Sequence, residues 1–179
     1  DAGVVLYFNN VVKLSTTAAG ITLGSSGVNT TILTHSAGTS NLTLGANAGN
    51  SIASGGNYNV TIGDEAGTGI TTGDSNVAVG YVALDANTTA SNNTAVGYAS
   101  LSANTEGPEN TAMGMNSMLA TTTGDYNTAV GSNALATNTT SDSNTAIGRY
   151  ALNANTDGTQ NTAIGYNAGL VTTTGSYNI

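Results

Sequence analysis

The residues of this chain that could perform acid–base or metal chemistry are few and scattered. His35 is the only histidine and there is no cysteine, which argues against a catalytic triad or a zinc site within one chain. A ring of His35 side chains at a threefold axis could bind a metal, but this is not the expected arrangement. Glu106 and Glu109 share one polar segment, and Asp157 takes the place of Glu106 at a distance of 51 residues. Paired carboxylates serve glycosidases, but acids are also ordinary in turns, so we expect no enzyme activity.

Two further sets of side chains have candidate binding roles. The segments TTGDSN (71–76) and TTGDYN (122–127) offer oxygen ligands of the kind Ca²⁺ takes, but a calcium repeat with Asp in every turn is absent. We therefore expect no metal and no cofactor. The tyrosines either stack between neighbouring repeats or chains, or form an aromatic surface for glycans. They are Tyr81, Tyr98 and Tyr166 in one set, and Tyr58, Tyr126 and Tyr177 in the other.

The composition excludes several classes of protein. Only 7% of the 179 residues are charged, and the net charge is −8 with Lys13 and Arg149 as the two basic residues. No basic patch can form, so binding to nucleic acid is not expected. No apolar run approaches the roughly 18 residues of a membrane span, so membrane insertion is not expected either. The first residues, DAGVVLYFNN, indicate a processed or partial chain, and the final TGSYNI begins another repeat, so we expect the parent protein to continue.

A strict internal repeat dominates the sequence. Glycines recur every seventeen residues, and an asparagine stands four positions before each of them. The glycines are Gly63, Gly80, Gly97, Gly114, Gly131, Gly148 and Gly165, preceded by Gly45 at an interval of eighteen. The asparagines are Asn41, Asn59, Asn76, Asn93, Asn110, Asn127, Asn144 and Asn161. A disordered chain would have no reason to keep this spacing constant, so the spacing indicates a repeat architecture.

A second period of 51 residues lies on top of the first. The segment ANTEGPEN (103–110) returns as ANTDGTQN (154–161). This pattern is explained either by duplication of a block of three seventeen-residue rungs or by one wide three-sided turn of 51 residues.

Each rung is expected to contain a strand, a glycine turn, a second strand and a polar loop. Because successive side chains of a strand point to opposite faces, the Val and Ile before each glycine should face one side, and the Ala and Gly columns the other. Stacked asparagine amides should form a ladder, and the glycines should mark a positive φ or a close backbone approach. With two aliphatic positions in each rung, a two-sided parallel β-roll fits better than a hexapeptide β-helix. The thin core and the Ala and Gly columns predict that three chains pack together.

The first residues lack the regular rung. We expect an N-terminal β stem or adaptor over residues 1–28, with strands at 4–8 and 11–15 joined by a tight turn at Asn9 and Asn10. The segment GITLG (20–24) mimics the later rung, and NTTIL (29–33) is interpreted as a degenerate rung. The solenoid is therefore expected over 29–179, with regular rungs from residue 41.

The recurrent pattern N-T-A-[VI]-G-Y-x-A-L resembles the repeats of phage tail-fibre proteins over residues 41–179. It is more distantly similar to the head repeats of trimeric autotransporter adhesins, and the opening VVLYFNNVVKLSTTAAGITL is similar to a stretch of marine phage fibres. The resemblance implies an all-β, homotrimeric, parallel β-roll fibre on a virion, in contact with other virion proteins and with a host surface glycan or protein.

Three other functions stay open beside the tail or head fibre. One is a bacterial surface adhesin. Another is an ice-binding solenoid, because threonines recur in one column that could form a flat array. A polysaccharide-degrading tailspike is the third. The threonine column contains Thr94, Thr111, Thr128, Thr145 and Thr162.

Overall fold

The computed structural model describes residues 5–8, 11–17, 20–25, 28–33 and 38–179, the first four ranges as backbone strands. The described residues form one twelve-stranded sheet in which every strand neighbours the next in chain order. The strands are β1 (Val5–Phe8), β2 (Val11–Thr17), β3 (Gly20–Ser25), β4 (Val28–Leu33), β5 (Leu42–Leu44), β6 (Val60–Ile62), β7 (Val77–Val79), β8 (Thr94–Val96), β9 (Thr111–Met113), β10 (Thr128–Val130), β11 (Thr145–Ile147) and β12 (Thr162–Ile164).

Strands β1 to β4 form an antiparallel meander. Phe8 pairs with Val11 across β1 and β2, so the two expected strands do pair, while Asn9 and Asn10 lie outside the described residues. Residues 29–33 belong to β4, which pairs antiparallel with β5. A solenoid rung would pair in parallel with its neighbour, so the interpretation of 29–33 as a degenerate rung does not describe β4. The parallel part of the sheet begins with β5.

Strands β5 to β12 stack in parallel as a β-solenoid. Ala95 pairs with Ala112 and Ala112 with Ala129, which fixes the rung at seventeen residues and excludes the single 51-residue turn. The predicted all-β parallel solenoid with seventeen-residue rungs is therefore confirmed. Such an arrangement lets each short strand satisfy its backbone through the rungs on either side.

An exposed turn absorbs the one longer rung. The N–H of Ala53 donates to the carbonyl of Thr71, eighteen residues on, whereas the N–H of Asn57 donates to Asp74 Oδ1, seventeen residues on. The additional residue therefore lies between these points, in the exposed turn at Ser54 and Gly55. Strand register is kept because the insertion lies outside the strand, with Leu42 still opposite Val60.

The second predicted strand of each rung is wrong, because the chain makes consecutive turns there. Ala83 N–H donates to Gly80 O and Asn87 N–H to Leu84 O, each three residues back. Between these bonds Val82 and Leu84 have positive φ values of 47° and 54°. Alternating left-handed residues reverse the chain within a few positions, which returns it to the sheet in a rung of only seventeen residues.

The core lies inside each chain, on the side of the strands opposite to the one expected. The middle residue of every strand from β7 to β11 is a buried alanine that packs with buried Leu or Met side chains from the turns. Val and Ile beside the alanine point outward, because strand side chains alternate between the two faces. The alternation was predicted correctly. The inference that the Ala and Gly columns face other chains is wrong, because the alanines fill this chain's own interior. The alanines are Ala78, Ala95, Ala112, Ala129 and Ala146, and the turn residues are Leu84, Leu101, Met118, Leu135 and Leu152.

Candidate functional site

The predicted asparagine column forms a continuous hydrogen-bonded ladder. In one step of it, Asn127 Oδ1 accepts the backbone N–H of Asn144 at 2.9 Å, and Asn127 Nδ2 donates to Ser141 O at 2.8 Å. Equivalent bonds from side-chain oxygen to backbone N–H run from Asn41 to Asn178 at 2.8–3.0 Å. We call this column the outer Asn ladder. Amide-to-amide contacts, the form expected from the sequence, occur at only some steps, such as 3.1 Å from Asn76 Nδ2 to Asn59 Oδ1.

A second ladder, missed by the sequence reasoning, lies seven residues after the glycines. Asn104 Nδ2 donates to Asn87 Oδ1 at 3.1 Å, and Asn155 Nδ2 donates to Asn138 Oδ1 at 3.3 Å. All four side chains are buried. We call this column the inner Asn ladder. Its sequence signal was the recurring Asn-Thr after each Leu, as in ANTEG (103–107), which looked like an ordinary polar loop.

The two ladders converge on a shared carbonyl in several rungs. Ser141 O accepts Asn127 Nδ2 at 2.8 Å and Asn138 Nδ2 at 3.0 Å. Gly158 O likewise accepts Asn144 Nδ2 and Asn155 Nδ2, both at 2.9 Å. A buried carbonyl has two lone pairs, so this geometry satisfies it fully without water. Only asparagine, which carries a donor and an acceptor on a short stem, can make both bonds of the outer ladder.

The glycine column lies where the backbones of adjacent rungs approach closely. Its eight members have φ between 126° and 139°. A Cβ added to Gly97 would lie 2.7 Å from the carbonyl carbon and oxygen of Gly114. Gly97 therefore has both the positive φ and the close backbone approach that were expected for this column.

The outward side of β5 to β12 carries two columns of side chains. Three residues before each glycine stand Leu42, Val60, Val77, Thr94, Thr111, Thr128, Thr145 and Thr162. One residue before each glycine stand Leu44, Ile62, Val79, Val96, Met113, Val130, Ile147 and Ile164. All sixteen are half-buried or exposed, and none is charged. We call this surface the outward face.

The carboxylates weighed as catalytic groups do not form a constellation. Glu106, Glu109 and Asp157 are all exposed on the loop side. The described residues contain no group of three His, Cys, Asp or Glu side chains that could hold a metal ion. His35 lies outside the described residues.

Two aspartates have displaced titration. Burial raises the pKa of Asp85 above its ordinary value, and the charge of Glu65 adds to this effect against opposing backbone hydrogen bonds. Burial also raises the pKa of Asp125, with further contributions from the charges of Asp142 and Glu109. Both groups belong to the stacked rungs.

The six tyrosines considered for a binding role are exposed. The rings of Tyr81 and Tyr98, one rung apart, have centroids 5.7 Å from each other, and the Arg149 guanidinium lies 4.6 Å from the centre of the Tyr150 ring. Tyr58, Tyr126 and Tyr177 are exposed at positive φ just before the outer Asn ladder. Stacking between rungs is therefore present for one pair.

The described residues define an all-β, parallel β-solenoid stabilised by side-chain ladders. The part of the chain that the structure describes contains no helix long and apolar enough to cross a membrane. No protein-family model, curated protein or solved structure matches the chain.

Proposed function

We propose that this chain is a structural shaft of a virion fibre, in a phage tail or head fibre, and that it supports host attachment rather than catalysis. The observation that carries the proposal is the outer Asn ladder, which continues through every rung from Asn41 to Asn178. Each rung bonds mainly to its neighbours, so adding rungs adds length without requiring any unique site. The proposal includes assembly as a homotrimer outside the cell, together with other virion proteins and a host surface glycan or protein.

The alternatives are less well supported by the same geometry. A bacterial surface adhesin would use an identical shaft, so the two differ only in where the shaft is mounted. An ice-binding array needs a uniform flat threonine face, whereas Thr94 and its column share the outward face with larger aliphatic side chains, and the column begins with Leu42. A tailspike enzyme needs facing carboxylates, and Glu106, Glu109 and Asp157 lie in exposed loop positions.

Deletion of whole rungs tests the proposal. Removing Thr94–Asn144 takes out three rungs and joins Asn93 to Thr145, which keeps every ladder in phase. The particle should shorten by about 14 Å, three strand spacings, in solution X-ray scattering, and should remain folded.

A one-residue slip is the matched control. Removing Thr111–Asn127 is one rung, whereas removing Thr111–Thr128 is eighteen residues and leaves a rung of sixteen. Most rungs have a single residue at the turn where the longer rung has Ser54 and Gly55, so a shorter rung has nothing left to absorb the slip. The eighteen-residue deletion should melt well below the seventeen-residue one. Equal melting temperatures would mean that the rung is not the structural unit, and the shaft proposal would fail.

A further inference from the structure

The outward face is an apolar surface that the chain leaves uncovered. The side chains of Leu42, Met113 and Ile147 are 39%, 43% and 38% exposed. With about 4.8 Å between strands, the eight strands of the face extend over about 34 Å. Soluble monomers rarely expose a continuous apolar surface of this kind unless it binds something.

The periodicity of the face restricts its occupant. Its side chains recur once per rung, so only a partner with the same rise can keep contact along all eight strands. A second copy of this chain has that rise. The distribution of charge also favours a second copy, because the chain has a net charge of −8 while the outward face has no charged residue. Two copies can therefore meet here without bringing carboxylates together on the face.

The composition of the face favours parallel packing in register. The column three residues before the glycines is aliphatic at its start, with Leu42, Val60 and Val77, and threonine from Thr94 onward. Parallel copies in register place aliphatic side chains on aliphatic ones and threonines on threonines. An antiparallel arrangement would instead set Leu42 against Thr162 and mix the two kinds.

We propose that the outward face of β5 to β12 packs against the same face of further copies of this chain, parallel and in register. This inference rests on the proposed shaft and replaces the Ala and Gly columns as its self-association surface. The buried alanines then hold each chain together, while the neighbouring Val and Ile side chains hold the chains to one another.

A charge placed on the face tests the proposal. Light scattering of the full chain should give a multiple of its 17.6 kDa mass. Val130→Asp should lose the oligomer, because a carboxylate would be buried between copies. Thr123→Asp, on an exposed turn away from the face, is the matched control and should keep the oligomer. A parent chain that scatters as a 17.6 kDa particle, or equal masses for the two variants, would overturn the proposal.

Cysteine cross-linking tests orientation even if Val130→Asp fails to fold. The chain has no cysteine, so one introduced thiol reports one position. Val130→Cys should form a covalent dimer on mild oxidation, and Thr123→Cys should not. In two antiparallel copies, position 79 of one chain would lie near position 130 of the other. A mixture of Val79→Cys and Val130→Cys chains therefore reports antiparallel packing of the outward face. Faster formation of that mixed dimer than of the Val130→Cys dimer would overturn parallel packing.

The failure of this inference can be separated from failure of the shaft. A monomer that still shortens by about 14 Å on removal of Thr94–Asn144 would keep the shaft and overturn the homotrimer together with the outward face as an interface. A chain that associates as expected but melts equally with seventeen- and eighteen-residue deletions would overturn the shaft alone.

Discussion

The early and later rungs of the solenoid fill the same interior space from different positions. In the early rung that begins at Gly63, position four after the glycine is Gly67 and position seven is Ile70. In the later rung that begins at Gly131, the same positions are Leu135 and Asn138. Ile70 and Leu135 are both fully buried. The apolar side chain has therefore moved by three residues along the chain without a change of fold.

Close contacts explain the exchange. A Cβ added to Gly67 would lie 2.9 Å from Ile70 Cδ1, and one added to Gly49 would lie 2.8 Å from Ile52 Cδ1. Isoleucine at position seven thus occupies the space that leucine at position four takes in later rungs. Where leucine fills that space, position seven is free to be polar and carries the inner Asn ladder. The comparison teaches that the outer Asn ladder and the glycine column define the rung, whereas the interior can be filled in two ways.

The largest expected effect comes from the glycine column that both kinds of rung share. Gly114→Ala places a Cβ 2.7 Å from the carbonyl carbon and oxygen of Gly131, at a φ of +133°. Neither backbone can move without breaking the stack, so we expect a loss of about 4 kcal/mol or more in unfolding free energy, measured by chemical denaturation.

A second glycine separates the two causes of that loss. In this 179-residue chain Gly165 lies in the last rung, where its φ is +126° and no atom lies within 4 Å of its added Cβ. Gly165→Ala should therefore cost only the backbone strain, about 1–3 kcal/mol. Equal losses at Gly114 and Gly165 would show that conformation alone, and not close approach of the rungs, requires glycine.

Exchanging the two interior arrangements tests the comparison directly. Leu135→Gly should destabilise the fold by about 2–4 kcal/mol, since it leaves a cavity where a fully buried side chain stood. Adding Asn138→Ile should restore most of that stability, because the isoleucine would fill the space as Ile70 does. The measurement is a double-mutant cycle by denaturant unfolding. Asn138→Ile alone is the control and should overpack the core. Additive losses in the double variant would refute the shared-space interpretation.

The sequence predicted the repeat and the parallel stacking because both follow from spacing. Gly63 to Gly165 recur at fixed intervals, and in-register stacking is the simplest structure that keeps such a phase. The prediction assigned the inner and outer faces of the strands the wrong way round. Val130 is more apolar than Ala129, and hydrophobicity alone places valine in the core. The interior is too narrow for that, since Leu135 from the turn already fills it and leaves room only for alanine opposite. Spacing predicts periodicity, but it does not give the width of a core.

A gap in the inner Asn ladder offers a stabilising change. Asn104 Oδ1 is buried and has no hydrogen-bond partner among the described residues, because the next rung has Thr121 at this position. Thr121→Asn should supply a donor to Asn104 Oδ1 and a second donor to Gly124 O, as Asn104 supplies to Gly107 O at 2.9 Å. We expect a gain of about 0.5–1.5 kcal/mol in unfolding free energy by thermal and chemical melting. Thr123→Asn, on the exposed turn, should have little effect, and a loss on Thr121→Asn would contradict the ladder extension.

The smallest expected effect concerns the acids of the later loops, where Asp125 is followed one rung on by Asp142, whereas Asp74 in an early rung is followed by Ser91. Asp125 donates its backbone N–H to Asp142 Oδ1 at 2.8 Å. Burial raises the pKa of the Asp125 carboxyl above its ordinary value of 3.8, and the charges of Asp142 and Glu109 raise it further. The folded chain therefore binds more protons than the unfolded chain just above pH 3.8, and stability falls as the pH rises through the raised pKa. Because the carboxylate is largely solvated, Asp125→Asn should raise stability at pH 7 by only a few tenths of a kcal/mol, and the gain should shrink in high salt. At pH 3 the side chain at position 125 is neutral in the parent and in Asp125→Asn, so the two proteins should melt together. Glu106→Gln, a change at an exposed acid, is the control at both pH values. A gain that persists at pH 3 would assign the effect to the amide and not to removal of the charge.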